Sequence, residues 1–120
     1  AGVENMGIGW YSDWTMRANP AQPGGMEYAQ LVQTGLWPLD DRDRSKLRTI
    51  ALAKPGSLWI IGNEPETRGQ GELTPEQYAD IYHEAYYFLK GVDPTAQIAI
   101  GGVVMPSPLR LKWLDRCLNY

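Results

Sequence analysis

Four short apolar segments recur along the chain, and they cover residues 6–11, 27–33, 58–63 and 97–102. The connections between them are long enough to cross back over a sheet, so we predict that each segment is a β-strand. The last two segments read LWII and IAIGG, nearly continuous rather than alternating. Continuous apolar strands are typical of parallel sheets that are covered on both faces.

The first apolar segment alternates large and small side chains. Ile8 and Trp10 fall on one face of the predicted strand, whereas Gly7 and Gly9 fall on the other. This pattern suits a strand that curves around a crowded axis, which favours the wall of a barrel over a flat sheet.

Helices are predicted between the strands, and the clearest follows Thr74. The residues TPEQ supply an N-cap threonine, a proline at the first helical position and a glutamine that completes a capping box. The apolar stripe runs from Tyr78 to Leu89, and Gly91 is predicted to end the helix. Two more helices are predicted over about residues 43–53 and 108–118. The order is β-loop-β-α-β-α-β-α, which implies parallel strands joined by right-handed crossovers.

The composition narrows the class of protein. The chain has 120 residues, 43% of them hydrophobic, which predicts one domain over residues 1–120. A net charge of -3 without a basic cluster argues against nucleic acid, and no apolar run approaches the length of a membrane span. The chain has five Trp and seven Tyr residues but only one Phe. Because Trp and Tyr combine an apolar ring with a polar N–H or O–H, they favour partly solvated binding sites for a polar, ring-shaped ligand such as a sugar.

The sequence contains few residues that could bind a metal ion or a cofactor. One histidine, His83, and one cysteine, Cys117, cannot build a closed zinc site, so we expect no metal and no cofactor. His83 is predicted to be exposed, and Cys117 is predicted to be a small structural hydrophobe. Gly101 and Gly102 lack a phosphate-binding pattern and indicate a close approach of two backbones instead.

The segment LWIIGNEPE stops abruptly at Asn63, Glu64 and Pro65. A glutamate at the rim of an apolar strand, beside an amide and a rigid proline, has the placement that a general acid requires. The alternative is a loop glutamate exposed to water. Trp37, next to Pro38, is a further candidate for a sugar platform, with a core or turn aromatic as the alternative.

The motifs WIIGNEPE, the LTPEQ helix and IAIGG together resemble glycoside hydrolases of clan A, whose (β/α)8 TIM barrel carries an Asn-Glu pair at the end of its fourth strand. With GIGWYSDW added, the chain is most similar to the glycosyl hydrolase catalytic-core families, which include β-1,3-glucanases. The resemblance implies that Glu64 is the general acid/base and that Asn63 binds the sugar 2-hydroxyl. It also implies that Trp10, Tyr11 and Trp14 bind substrate and that the protein is secreted.

The length departs from that family. A TIM barrel takes about 250 residues, so the chain is expected to form only its N-terminal half. A retaining glycosidase needs a second carboxylate as nucleophile, and none at a matching position follows Glu64. Asp13 and Asp40 are more easily explained as loop or capping residues.

Two functions follow from these patterns. The first is a retaining hydrolase of a β-linked polysaccharide such as β-glucan, with Glu64 as acid/base and the nucleophile missing from this chain. The alternative is a non-catalytic carbohydrate-binding half-barrel that associates with a second copy through its open edges.

Overall fold

The computed structural model describes residues 7–120 of the chain. They form five strands and three α-helices, with two short 3₁₀ turns at Pro23–Gly25 and Thr34–Leu36. The strands are β1 (Trp10–Tyr11), β2 (Glu27–Tyr28), β3 (Gln30–Val32), β4 (Leu58–Ile61) and β5 (Gln97–Ile100). The helices are α1 (Asp41–Ala53), α2 (Pro75–Val92) and α3 (Pro108–Leu118).

All of the strand pairs are parallel, and they follow the order of the chain. β1 pairs with β2, and β4 lies between β3 and β5. The two-stranded sheet β1-β2 and the three-stranded sheet β3-β4-β5 are linked by Ala29, the one residue between β2 and β3. Sequential parallel strands joined by helices are what the sequence predicted for half of a (β/α)8 barrel.

The predicted strands need correction at their bounds. The segments 58–63 and 97–102 are strands only over Leu58–Ile61 and Gln97–Ile100. The segment 27–33 is divided at Ala29 into β2, which pairs with β1, and β3, which pairs with β4. The segment 6–11 is a strand only over Trp10–Tyr11. Gly7 has φ 68, a left-handed conformation that does not fit a strand, and Met6 lies outside the described residues.

The predicted helices are confirmed with small shifts at their ends. Asp40 caps α1, and its side chain accepts a hydrogen bond from the Asp43 N–H at 2.7 Å. Thr74 and Gln77 form the predicted capping box of α2. This helix continues through Gly91 to Val92, because the C-cap lies at Asp93 rather than at the glycine.

The main core lies between the sheet and helices α1 and α2. The side chains that fill it are apolar and almost fully buried, and they include Val32, Leu47, Ile50, Trp59, Ile61, Ala85 and Leu89. Leu58 and Ile60 alternate with Trp59 and Ile61 along β4, and so face the other side of the sheet, where they are half-buried. The helical side of this sheet is therefore the better covered face.

Among the described residues 7–120, no helix is both long enough and apolar enough to span a membrane.

Candidate functional site

The loops that follow the strands meet at one edge of the molecule, because parallel strands point their carboxyl ends in the same direction. We call this the carboxyl edge, and it comprises residues 12–19 after β1, 33–36 after β3, 62–66 after β4 and 101–104 after β5. In parallel barrels this edge is where binding and catalytic side chains are placed. The candidate residues Trp14, Asn63 and Glu64 all lie on it.

Glu64 has an unusual backbone at this edge. Its φ is 46, in the left-handed region that non-glycine residues rarely adopt. The Glu64 N–H donates to the Gly102 carbonyl at 3.1 Å, and its own carbonyl accepts from the Thr67 N–H at 2.9 Å. Its side chain is half-buried, as is that of Asn63. Left-handed non-glycine residues concentrate at functional sites because the surrounding structure must hold them there.

Two glycines allow β4 and β5 to converge just below Glu64. Gly62 has φ +80, and its N–H donates to the Val32 carbonyl at 2.8 Å. A Cβ at Gly101 would lie 2.5 Å from the Gly62 carbonyl oxygen, closer than any side chain tolerates. The close backbone approach predicted at Gly101 and Gly102 is confirmed at Gly101 but not at Gly102, where a Cβ would meet no atom within 4 Å.

A buried tyrosine of α2 ties these two strand ends together. The Tyr78 hydroxyl donates to the Ile61 carbonyl at 2.6 Å and accepts from the Gly101 N–H at 2.8 Å. Burial raises the pKa of Tyr78 well above its ordinary value, which keeps the hydroxyl protonated and able to donate. The sequence predicted Tyr78 only as a member of the apolar stripe.

Replacing Tyr78 with phenylalanine tests this link. Tyr78→Phe should lower the free energy of unfolding by about 1–2 kcal/mol, because it removes two buried hydrogen bonds while the ring stays packed. Urea denaturation monitored by circular dichroism measures the change. Tyr87→Phe is the matched control, since Tyr87 is 73% exposed and should leave stability unchanged. Equal stability of the two variants would contradict the link.

Two exposed tryptophans lie in β1 and on the loop that follows it. Trp10 is 52% exposed and Trp14 is 63% exposed, the latter with φ 66. Tyr11 is instead half-buried, with its ring edge-on to Tyr28 at 5.3 Å between centroids and its hydroxyl donating to the Ala21 carbonyl. Among these three candidates, only the tryptophans offer a broad free face to a sugar ring.

Side chains of β2 and β3 fix the loop that carries Trp14. The Asp13 carboxylate accepts from the Tyr28 hydroxyl and from Arg17 Nε at 2.7 Å. These two partners, the tyrosine first, hold the pKa of Asp13 below its ordinary value. The buried Gln30 amide accepts from the Arg17 N–H at 2.8 Å and donates to the Arg17 carbonyl at 2.7 Å. Trp14 is thus held on an ordered loop.

The structure places Trp37 differently from the other candidates. Its indole N–H donates to Glu84 of α2 at 3.2 Å, and its ring packs against the hydrophobic core. These contacts lie on the helical layer, which favours the core role that the sequence left open beside the sugar platform.

Asp13 and Asp40, the other acidic candidates at the rim, have structural partners. Asp13 belongs to the Tyr28 and Arg17 network, and Asp40 caps α1, which confirms the loop and capping roles predicted for them. Sequence reasoning missed Glu66, two residues after Glu64. Its Oε1 accepts from the Val104 N–H at 2.7 Å, and its side chain is 5% exposed. A contact across 38 residues leaves no local signal in the sequence.

Within residues 7–120, no group of three or more His, Cys, Asp or Glu side chains is arranged to hold a metal ion. His83 is exposed, as predicted. Cys117 is half-buried and its thiol points to the Pro75 carbonyl at 3.4 Å. Burial raises the pKa of Cys117 to about 11, so the thiol stays protonated and unreactive at neutral pH.

The sequence profile of the family described as "Glycosyl hydrolase catalytic core" matches residues 2–119. Among curated protein sequences, none matches the chain significantly.

Two solved structures have similar folds. A GH128 (subgroup II) endo-β-1,3-glucanase from Sorangium cellulosum superposes with a TM-score of 0.70 at 19% identity, covering 98% of this chain and 48% of its own. A GH128 (subgroup I) endo-β-1,3-glucanase from Amycolatopsis mediterranei, in complex with laminaritriose, gives a TM-score of 0.65 at 20% identity, with 98% and 44% covered. The chain therefore spans about half the length of both glucanase structures, and its α/β fold is a partial barrel.

Proposed function

The chain belongs to the glycosyl hydrolase catalytic-core family, and from this premise we propose that it is the acid/base half of a retaining hydrolase of β-linked glucan. The observation that carries the proposal is the placement of Glu64. It lies at the carboxyl end of a buried parallel strand, in a left-handed backbone conformation, at the same edge as Trp14. A general acid must be held in this way at the bond that it protonates.

In the proposed reaction, Glu64 protonates the glycosidic oxygen as the bond to the leaving sugar breaks. A carboxylate from outside residues 1–120 attacks the anomeric carbon and forms a glycosyl-enzyme intermediate. Glu64, now ionised, then takes a proton from the water that releases the sugar. Asn63 is proposed to donate a hydrogen bond to the sugar 2-hydroxyl, which strengthens in the transition state.

The nucleophile is proposed to come from outside this chain because the carboxylates considered for the task among residues 7–120 have other partners. Retention requires a second carboxyl group about 5–5.5 Å from the first. Asp13 and Asp40 are already engaged in their loop and cap, and Glu66 is buried against Val104 and Arg110. The strands that would carry a later carboxylate lie beyond β5 in a complete barrel.

The proposed substrate is a β-1,3-glucan. Both similar structures are described as endo-β-1,3-glucanases, and one of them holds laminaritriose. In this chain, Trp14 is an exposed aromatic ring at the carboxyl edge and Trp10 is an exposed ring on β1, and such rings pack well on the apolar face of a sugar. The resemblance also leads us to propose secretion, which detection of the protein in the medium rather than in the cells would support.

The sugar platform is tested by removing the Trp14 ring. Trp14→Ala in the natural full-length protein should weaken binding of a β-1,3-glucan about 10-fold, because the ring contributes apolar contact area at the carboxyl edge. Isothermal titration calorimetry with laminaritriose measures the dissociation constant. Tyr87→Ala is the matched control, since Tyr87 is 73% exposed on α2 and should leave affinity unchanged. Unchanged affinity after Trp14→Ala would place the sugar elsewhere.

A second candidate function is a sugar-binding half-barrel that pairs with another copy. The half-buried Leu58, Ile60 and Ala99 on the inner face of the sheet favour it, because a second half-barrel would cover them. Sedimentation of the natural protein separates the two proposals. A dimer that binds glucan without cleaving it would favour the second, and turnover by a monomer would exclude it.

A further inference from the structure

Glu66 is a buried charged residue beside the proposed acid/base. Its side chain is 5% exposed, and it lies in the connection between β4 and α2, two residues after Glu64. Oε1 accepts from the Val104 N–H at 2.7 Å and lies 3.4 Å from Arg110 Nε. Oε2 is buried and has no hydrogen-bond partner among the described residues. Acidic side chains are seldom buried to this degree unless they are paired.

Stability alone does not favour a carboxylate at this position. Burying a charge is costly, and the cost is offset only when both oxygens and the partner are well satisfied. Here one oxygen of Glu66 has no partner among residues 7–120, and the ion pair with Arg110 is long. We therefore explain the buried Glu66 carboxylate by the conformation that it gives to its loop rather than by stability.

The loop in question is the one that carries Glu64. The Glu64 N–H donates to the Gly102 carbonyl at 3.1 Å, and Glu66 accepts from the Val104 N–H. These two bonds clamp residues 64–66 against residues 102–104, one at each end of the segment. Pro65, between them, is buried. The clamp supports the left-handed backbone of Glu64 through its N–H, whereas the Thr67 N–H bonds to its carbonyl.

We infer that Glu66 is a positioning residue that holds the Glu64 carboxylate at the reacting bond by fixing its loop to the loop after β5. This inference rests on the acid/base role proposed for Glu64. Catalysis is sensitive to such support, because a misplacement of about 1 Å can lower a rate about 100-fold. Trp10 lies in β1 and Trp14 lies on the loop after it, so loss of the clamp should spare glucan binding.

The test uses the natural full-length protein and soluble β-1,3-glucan. Glu66→Ala should lower kcat about 10–100-fold, with KM changed by less than about twofold, because only the placement of Glu64 is disturbed. Glu66→Gln should restore most of the lost kcat, since its amide oxygen can still accept from the Val104 N–H. Glu72→Ala removes the same charge from the same connection and should leave kcat unchanged, because that side chain is 59% exposed.

The outcomes separate this inference from the proposed function. Unchanged kcat per folded molecule in Glu66→Ala, with Glu64→Gln inactive, would overturn the positioning role and leave the acid/base role intact. Undiminished activity of Glu64→Gln would overturn the proposed function itself. If Glu66→Ala does not fold, Arg110→Gln weakens the same clamp from α3 and should lower kcat in the same direction. Wild-type kcat in that variant would then overturn the inference.

Discussion

Glu64→Gln should abolish hydrolysis of β-1,3-glucan while sparing its binding. The amide keeps the shape of the carboxyl group but cannot deliver a proton to the glycosidic oxygen. General acid–base catalysis contributes a factor of about 100 to 10,000, and kcat should fall by at least that factor. The assay counts new reducing ends released by the natural full-length protein, and calorimetry with laminaritriose measures affinity in parallel.

The matched control for this prediction is Glu72→Gln. Glu72 lies on the same connection between β4 and α2, and it is also a left-handed glutamate, with φ 51. Its side chain is 59% exposed beside Arg68, so the change should leave turnover unaffected. Equal turnover of wild type and Glu64→Gln would remove Glu64 from the mechanism. A loss of glucan binding in Glu64→Gln would instead assign Glu64 a binding role.

Gly101→Ala should destabilise the protein strongly. The added Cβ would lie 2.5 Å from the Gly62 carbonyl oxygen and 2.9 Å from the Ile61 carbonyl oxygen, and both neighbours are backbone atoms that cannot rotate away. Forcing β4 and β5 apart should lower the free energy of unfolding by about 3 kcal/mol. The same movement displaces Gly62 and hence the loop of Glu64. Chemical denaturation of the purified protein measures the change.

Gly102→Ala provides the control for the glycine prediction. It is the next residue in the chain, and a Cβ there would meet no atom within 4 Å. Its stability should stay within about 0.5 kcal/mol of wild type, as for other surface substitutions. If Gly101→Ala is as stable as Gly102→Ala, the two strands do not converge as described.

The elements set by local rules were predictable from the sequence. Thr74 and Gln77 form a capping box, which is a contact between residues only three positions apart. The start of α2 could therefore be predicted from the sequence. The continuous apolar run of β4 likewise predicted a parallel strand, which ends at Ile61, just before Asn63 and Glu64. Both features depend on residues that are close together in the chain, so the sequence pattern is enough to predict them.

The features set by distant partners were not predictable. The interruption at Ala29 between β2 and β3 leaves no mark in the apolar run from 27 to 33. Tyr78 has the pattern of a core residue, and only the folded chain brings its hydroxyl to Ile61 and Gly101. Glu66 has the pattern of a loop glutamate until the contact with Val104 is seen. The candidate site therefore depends on contacts between residues that are far apart in the chain, and the sequence pattern does not reveal these contacts.

We propose above all that Glu64 protonates the glycosidic oxygen of a β-1,3-glucan at the carboxyl edge. A crystal structure of the full-length Glu64→Gln variant with a bound β-1,3-glucan tests it most directly. We predict that the side chain at position 64 lies within about 3 Å of a glycosidic oxygen and that Trp14 packs against a neighbouring sugar ring. A glucan chain bound away from Asn63 and position 64, with the mutated side chain turned from every glycosidic oxygen, would contradict it.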